Sequence, residues 1–248
     1  MNDDLNIIIM AGGLGKRMES DLPKVLHKIL NKPLIVHVIE ESVKLIPKKI
    51  MIVVGKYRDI IKKTIDEYLP NVQLIYVYQP EALGTGHAIQ CCANELKFES
   101  YNTTLVLSGD VPFLKYETMT DIIKNTNKVK IAVTELEDST GYGRIILKDL
   151  QFEKIIEEKD CSVEQKKIKQ INCGIYSFNT KILYKYLPCL SNNNDQKEYY
   201  LTDIIEIIKI NEGIDVQLCN INKDKHYQIM GINTKQQLLE LERLANPI

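Results

Sequence analysis

Residues 7–24 read IIIMAGGLGKRMESDLPK. An apolar run, Ile7 to Ile9, enters three glycines, Gly12, Gly13 and Gly15, and two cations follow at Arg17 and Lys24. A short β-branched run of this kind fills a strand buried on both faces. Glycines directly after it let the chain turn tightly and leave backbone N–H groups open to phosphate oxygens. Two phosphate-binding patterns fail on spacing. A P-loop requires glycine and a hydroxyl residue where Met10 and Arg17 stand. A dinucleotide fingerprint begun at Gly13 meets Met18 at its third glycine. A plain glycine turn is the remaining local reading, and the rest of the chain has to separate it from a ligand loop.

The 248 residues are 44% apolar with a formal net charge of −1, enough for one large α/β domain or one domain with a smaller lobe. Near-neutral charge gives no electrostatic reason to expect nucleic acid or an anionic membrane as partner. No run approaches the roughly 18 apolar residues of a membrane span. The cysteines at 91, 92, 161, 173, 189 and 219 contain no C-x-x-C pair and follow no signal peptide. They read as reduced thiols in a cytoplasmic protein.

Strand and helix then alternate. A helix beginning at Pro33, a strand over 49–54, a helix over 57–68 and a strand over 72–78 are followed by strands at 105–108 and 129–135. Connections of this length imply parallel pairing and right-handed crossovers, hence a doubly wound sheet whose ligand site lies at the strands' carboxyl ends. After Gly141 the segments 145–147, 152–158 and 170–178 read as antiparallel strands in a subregion covering that site.

Several polar groups interrupt this pattern. Gln79 precedes a second glycine loop holding Gly84, Thr85 and Gly86; an amide there suits the edge of a nucleobase. Asp110 leaves a buried strand before Pro112, where it fits either a turn or a hard cation such as Mg²⁺. Glu157 opens the charged run 157–160, whose ordinary reading is a solvated face. Asn172 sits among apolar residues and would be costly to bury without a partner, which points to a ligand. Asn233 reads as the N-cap of a terminal helix.

AGGLGKRM, PKVLH, QPEALGTGHA, SGDVP, GYGRI, EEKD, INCGIY, EYYLTD and GIN stand in an order that resembles the sugar nucleotidyltransferases. Within them the chain is similar to the uridyltransferase domain of the bacterial bifunctional N-acetylglucosamine-1-phosphate uridyltransferases, from about residue 6 to the terminal helix. The resemblance implies a Rossmann-like, doubly wound mixed α/β sheet in a single domain, with residues to about 140 binding nucleotide and 141–248 binding sugar. It implies Mg²⁺-dependent transfer of uridylyl from UTP to N-acetylglucosamine 1-phosphate. Ala11, Gly12, Gly13, Gln79, Gly84 and Thr85 would contact the nucleotide, with Arg17 and Lys24 on the triphosphate. Gly143, Glu157, Asn172 and Tyr199 to Thr202 would surround the sugar, and Asp110 and Asn233 would bind Mg²⁺.

Three positions depart from the family's habit: Gly12 for alanine, Lys16 for threonine and Ser108 for tyrosine. They leave base choice more open than reaction class. No hexapeptide-repeat segment follows the terminal helix, so neither acetyl transfer nor the family's trimerisation is expected of these residues. The rival readings are a related transferase using another sugar phosphate or base, and a non-catalytic module of the same fold. Retention of Arg17, Lys24, Asp110 and Asn233 argues against the module.

Overall fold

A computed structural model describes residues 2–13, 15–97 and 103–245. The first strand, β1 (Asn2–Met10), lies inside the sheet with a strand on either side, and Ile7, Ile8 and Ile9 are wholly buried. A small hairpin of β2 (Lys28–Ile29) and β3 (Lys32–Pro33) leads into α1 (Leu34–Val43). Pro33 is the residue before this helix, one place earlier than its spacing predicts. Next come β4 (Pro47–Val54), α2 (Arg58–Tyr68), β5 (Ile75–Tyr78), α3 (Thr85–Gln90) and α4 (Ala93–Leu96). The strand expected from residue 72 begins only at Ile75, because Leu69 and Val72 are spent in a turn closed by a 3.1 Å backbone bond.

The second half supplies β6 (Thr103–Ser108), α5 (Tyr116–Ile123), β7 (Val129–Glu135), β8 (Arg144–Lys148) and β9 (Gln151–Ile156). It ends with β10 (Gln170–Asn179), α6 (Thr180–Tyr186), α7 (Leu201–Glu212), β11 (Gln217–Asn220) and α8 (Lys235–Ala245). The sheet runs β11-β7-β10-β6-β1-β4-β5. All neighbours are parallel except β10, which is antiparallel to both β6 and β7. Thus the segment 170–178 belongs to the main sheet, and only the β8–β9 hairpin stands off it, joined to β10 at Ile171 and Arg144.

Alternation along β1 divides the core into two layers, since successive side chains leave a strand on opposite faces. Ile7 and Ile9 share a cluster with Ile35 and Ile39 of α1, Ile61 of α2 and Met119 of α5. Ile8 packs in the opposite cluster with Ile89 of α3, Leu183 of α6 and Ile204 of α7. This is the doubly wound arrangement expected. Met10 pairs with both Val53 and Ser108, so β1, β4 and β6 end level and their loops open at one edge. A third, smaller cluster joins Met18, Ile29, Leu34 and Phe113 to Ile232 and Leu241. It binds the opening loop to the start of α8.

Candidate functional site

The loops after β1, β5 and β6 enclose a cavity of about 580 Å³ lined by Ala11, Gly12, Gly13, Gly15, Arg17, Lys24, Gln79, Gly84, Thr85, Ser108, Asp110 and Asn233. Every residue expected at the nucleotide, the triphosphate and the metal is among them. The side chain of Lys16 lies outside those described. Glu198, which no local pattern singles out, also lines the cavity.

Four polar side chains meet at its charged end. Lys24 begins a 3-10 turn whose Val25 and Leu26 are buried, which fixes its backbone against the core. Its ammonium donates to Asp110 Oδ2 and, at 3.1 Å, to Asn233 Oδ1. Arg17 donates to the same Asn233 oxygen at 3.0 Å. Asp110 also holds the chain leading to α8, since its carbonyl accepts from Ile232 N at 3.0 Å.

Asn233 does not cap α8. Thr234 Oγ1 accepts from Gln237 N at 3.1 Å, and Gln237 Oε1 accepts from Asn233 N and Thr234 N at 2.7 and 3.2 Å. This reciprocal capping box uses Thr234 and the glutamine three places on. It leaves the Asn233 side chain to face Arg17 and Lys24.

Two glycines of the cavity wall are set by close approach. A methyl group at Gly12 would stand 2.6 Å from Gln79 Oε1. Gln79 is held there by Nε2, which donates to Gly84 O at 3.1 Å, and by a 3.3 Å contact with His87 Nδ1. His87, which also contacts Glu81 O at 3.0 Å, therefore orders the loop. Gly84 has φ +106°, and a side chain there would run 2.5 Å from Tyr199 O. The segment 199–201 is strapped onto this loop: Gly86 N donates to Tyr199 O at 2.7 Å and Leu201 N to Thr85 Oγ1 at 3.0 Å.

The residues expected around the sugar form a second group that does not wall the cavity, and neither does the β8–β9 hairpin. Gly143 O accepts from Asn172 N at 2.9 Å, and Thr202 donates to Glu157 Oε1 at 2.9 Å. A side chain at Gly143 would come 3.5 Å from Glu157 Oε2, so the four residues are neighbours. Asn172, whose burial calls for a partner, finds two inside the protein. Its Nδ2 donates to Tyr176 Oη at 2.7 Å and its Oδ1 accepts from Gly174 N at 3.1 Å, both within its own strand.

The charged run 157–160 is only partly solvated. Glu158 pairs at 2.7 Å with Arg144, whose side chain is 1% exposed. Burial raises the Glu157 carboxyl above its usual range, against the lowering effect of the Thr202 hydrogen bond. Burial, then the charges of Glu157, Glu206 and Asp160, pushes Asp203 up to about 6.

A mixed, doubly wound sheet with glycine loops and paired cations at its carboxyl edge defines an α/β enzyme class that handles phosphorylated ligands. Within that class the nucleotidyl transferase family matches residues 6–225, and the chain belongs to it. It is 41% identical over 246 residues to a protein named as a probable UDP-N-acetylglucosamine pyrophosphorylase of Acanthamoeba polyphaga mimivirus, spanning 97% of this chain and 96% of that one. It is 39% identical to the bifunctional protein GlmU of Clostridium botulinum, over 96% of this chain and 51% of the relative. The chain thus spans about half the length of that bacterial protein. Among solved structures it matches a UDP-glucose pyrophosphorylase complexed with UDP-glucose, with TM-score 0.75 and 19% identity, over 97% of both chains. At that identity the likeness speaks to the fold.

Proposed function

We propose that the protein transfers uridylyl from UTP to N-acetylglucosamine 1-phosphate, giving UDP-N-acetylglucosamine and pyrophosphate. The observation that carries this reading is the meeting of Arg17, Lys24, Asp110 and Asn233 at one end of a glycine-walled cavity. The name borne by the mimivirus relative supplies the base and the sugar.

Ala11, Gly12, Gly13, Gln79, Gly84 and Thr85 take the uracil and ribose end, where Gln79 presents a fixed amide. Lys24 and Arg17 take the triphosphate. A sugar phosphate is already anionic near pH 7, so it needs alignment and shielding from like charge more than a general base. Its oxygen attacks the α-phosphorus, the bond to the bridging oxygen breaks, and pyrophosphate carries the electron pair away. Lys24, Arg17 and the loop N–H groups lie where the departing charge develops.

Asp110 and Asn233 fit Mg²⁺: both present hard oxygens, and both already touch one ammonium, so they converge on the space of one cation. When bound there, Mg²⁺ would supply Lewis-acid stabilisation of phosphate charge. Gly143, Glu157, Asn172 and Thr202 take the sugar, which makes the second half of the chain the sugar half, with Asn233 reaching back to the nucleotide half. All six cysteines are free, in keeping with a reducing, cytoplasmic setting. Among the described residues no helix is long and apolar enough to cross a membrane.

Pyrophosphate release across four nucleoside triphosphates and several sugar 1-phosphates tests the assignment. UTP with N-acetylglucosamine 1-phosphate is expected to be fastest. Equal or faster use of glucose 1-phosphate overturns the sugar assignment, and preference for another triphosphate overturns the base.

A further inference from the structure

Asp110 and Asn233 already hold a cation, and it belongs to the protein. The Lys24 ammonium donates to Asp110 Oδ2 and to Asn233 Oδ1, and Arg17 donates to the same Asn233 oxygen. We propose that in the nucleotide-free protein the Lys24 ammonium keeps the place of the divalent metal, so that metal enters together with the triphosphate and not ahead of it. This rests on the assignment of Asp110 and Asn233 to Mg²⁺ made above.

Three features support the proposal. The backbone of Lys24 cannot withdraw, because Val25 and Leu26 beside it are buried in the main core; only its flexible four-carbon stem can swing away. A divalent ion arriving alone would stand a few ångströms from an ammonium and a guanidinium, while the two lone pairs of Asn233 Oδ1 are both engaged. A triphosphate reverses that balance. Its oxygens offer Lys24 and Arg17 stronger charge-assisted partners and give the metal the further oxygen ligands that two side chains cannot. Metal and nucleotide then raise each other's affinity by the same factor.

Mn²⁺ is a suitable probe, since its binding is read by electron paramagnetic resonance without turnover. Nucleotide-free Lys24→Met and Lys24→Gln are expected to bind Mn²⁺ at least about tenfold more tightly than the parent, within the usual range of coupling between sites. Adding Asp110→Asn to either variant should remove the gain. The parent should acquire an Asp110-dependent Mn²⁺ site when UTP is added. Tight, Asp110-dependent Mn²⁺ binding by the nucleotide-free parent, equal to that of the Lys24 variants, overturns the proposal. So does the absence of any gain in both variants while the UTP-loaded parent binds normally. If the UTP-loaded parent shows no Asp110-dependent site, the metal assignment itself falls and the proposal with it.

Discussion

The charged end of the cavity and the group around Glu157 are built on opposite plans. At the first, side chains from three distant segments, Arg17 and Lys24 of the opening loop, Asp110 and Asn233, satisfy one another across a cavity large enough for a ligand. At the second, Asn172 is tied to Tyr176 and Gly174, and Glu157 to Thr202, with no part of the cavity wall among them. A ligand at the first exchanges one set of ionic contacts for another. A ligand at the second must use lone pairs and N–H groups that the internal bonds leave over. Substitutions at the charged end should therefore act on chemistry and nucleotide affinity. Those around Glu157 should mix binding with stability.

Asp110→Asn is the sharpest break. It keeps the shape of the site and removes its carboxylate charge, so turnover should fall roughly 10²- to 10³-fold with an unchanged circular-dichroism spectrum. Near-parental turnover at low Mg²⁺ would show that the charged end owes nothing to Asp110. The two cations should then differ from each other. Lys24 is 17% exposed and touches two partners, whereas Arg17 is exposed. Calorimetry should show UTP affinity reduced by about 2–3 kcal/mol in Lys24→Ala and by about 1 kcal/mol or less in Arg17→Ala. Equal losses would mean that burial does not set their strength.

Asn172→Ala carries the comparison to the other region. It leaves the buried Tyr176 hydroxyl without its amide partner, a loss of about 1–3 kcal/mol of stability. If Asn172 also meets the sugar, the KM for N-acetylglucosamine 1-phosphate should rise roughly tenfold, a shift of similar energy, while UTP affinity stays put. A lower Tm with an unmoved KM would make Asn172 scaffold alone.

What could be read from the sequence follows the same divide. The apolar run 7–9, the glycines and the strand-helix alternation rest on local periodicity, and the sheet, both core layers and the cavity loops came out as expected. Residue order also anticipated which residues meet at the cavity, because motifs far apart in sequence come together where Met18 and Ile232 share a core. Three readings depended on partners that periodicity cannot supply. Asn233 looked like a cap until Thr234 and Gln237 closed the box. Asn172 pointed to a ligand because its internal partners, Tyr176 and Gly174, lie across an irregularity in its own strand. Segment 170–178 looked like part of a lid because alternation gives strand character but not the neighbours, here β6 and β7.

The smallest expected effect tests how tightly the second region is closed. The Asp203 carboxyl is pushed from 3.8 up to about 6 by burial and by Glu157, Glu206 and Asp160. Unfolded, it titrates near its ordinary value. Below about pH 4 the group is protonated in both states and costs nothing. Between about pH 4 and 6 the unfolded chain ionises while the folded protein still holds its proton, so stability falls across that window and levels off above it. Asp203→Asn removes this penalty. Its Tm should exceed the parent's most at pH 8, with the gain shrinking as pH drops through 6 and vanishing near 4. Because the side chain is only half-buried, solvent screening limits the gain to less than about 1 kcal/mol, or roughly 2–4 °C. A gain that does not vary with pH would mean that the carboxylates of residues 157, 160 and 203 do not share a common field. The region around Glu157 would then be as open to water as the charged end of the cavity, and the contrast between the two would fail.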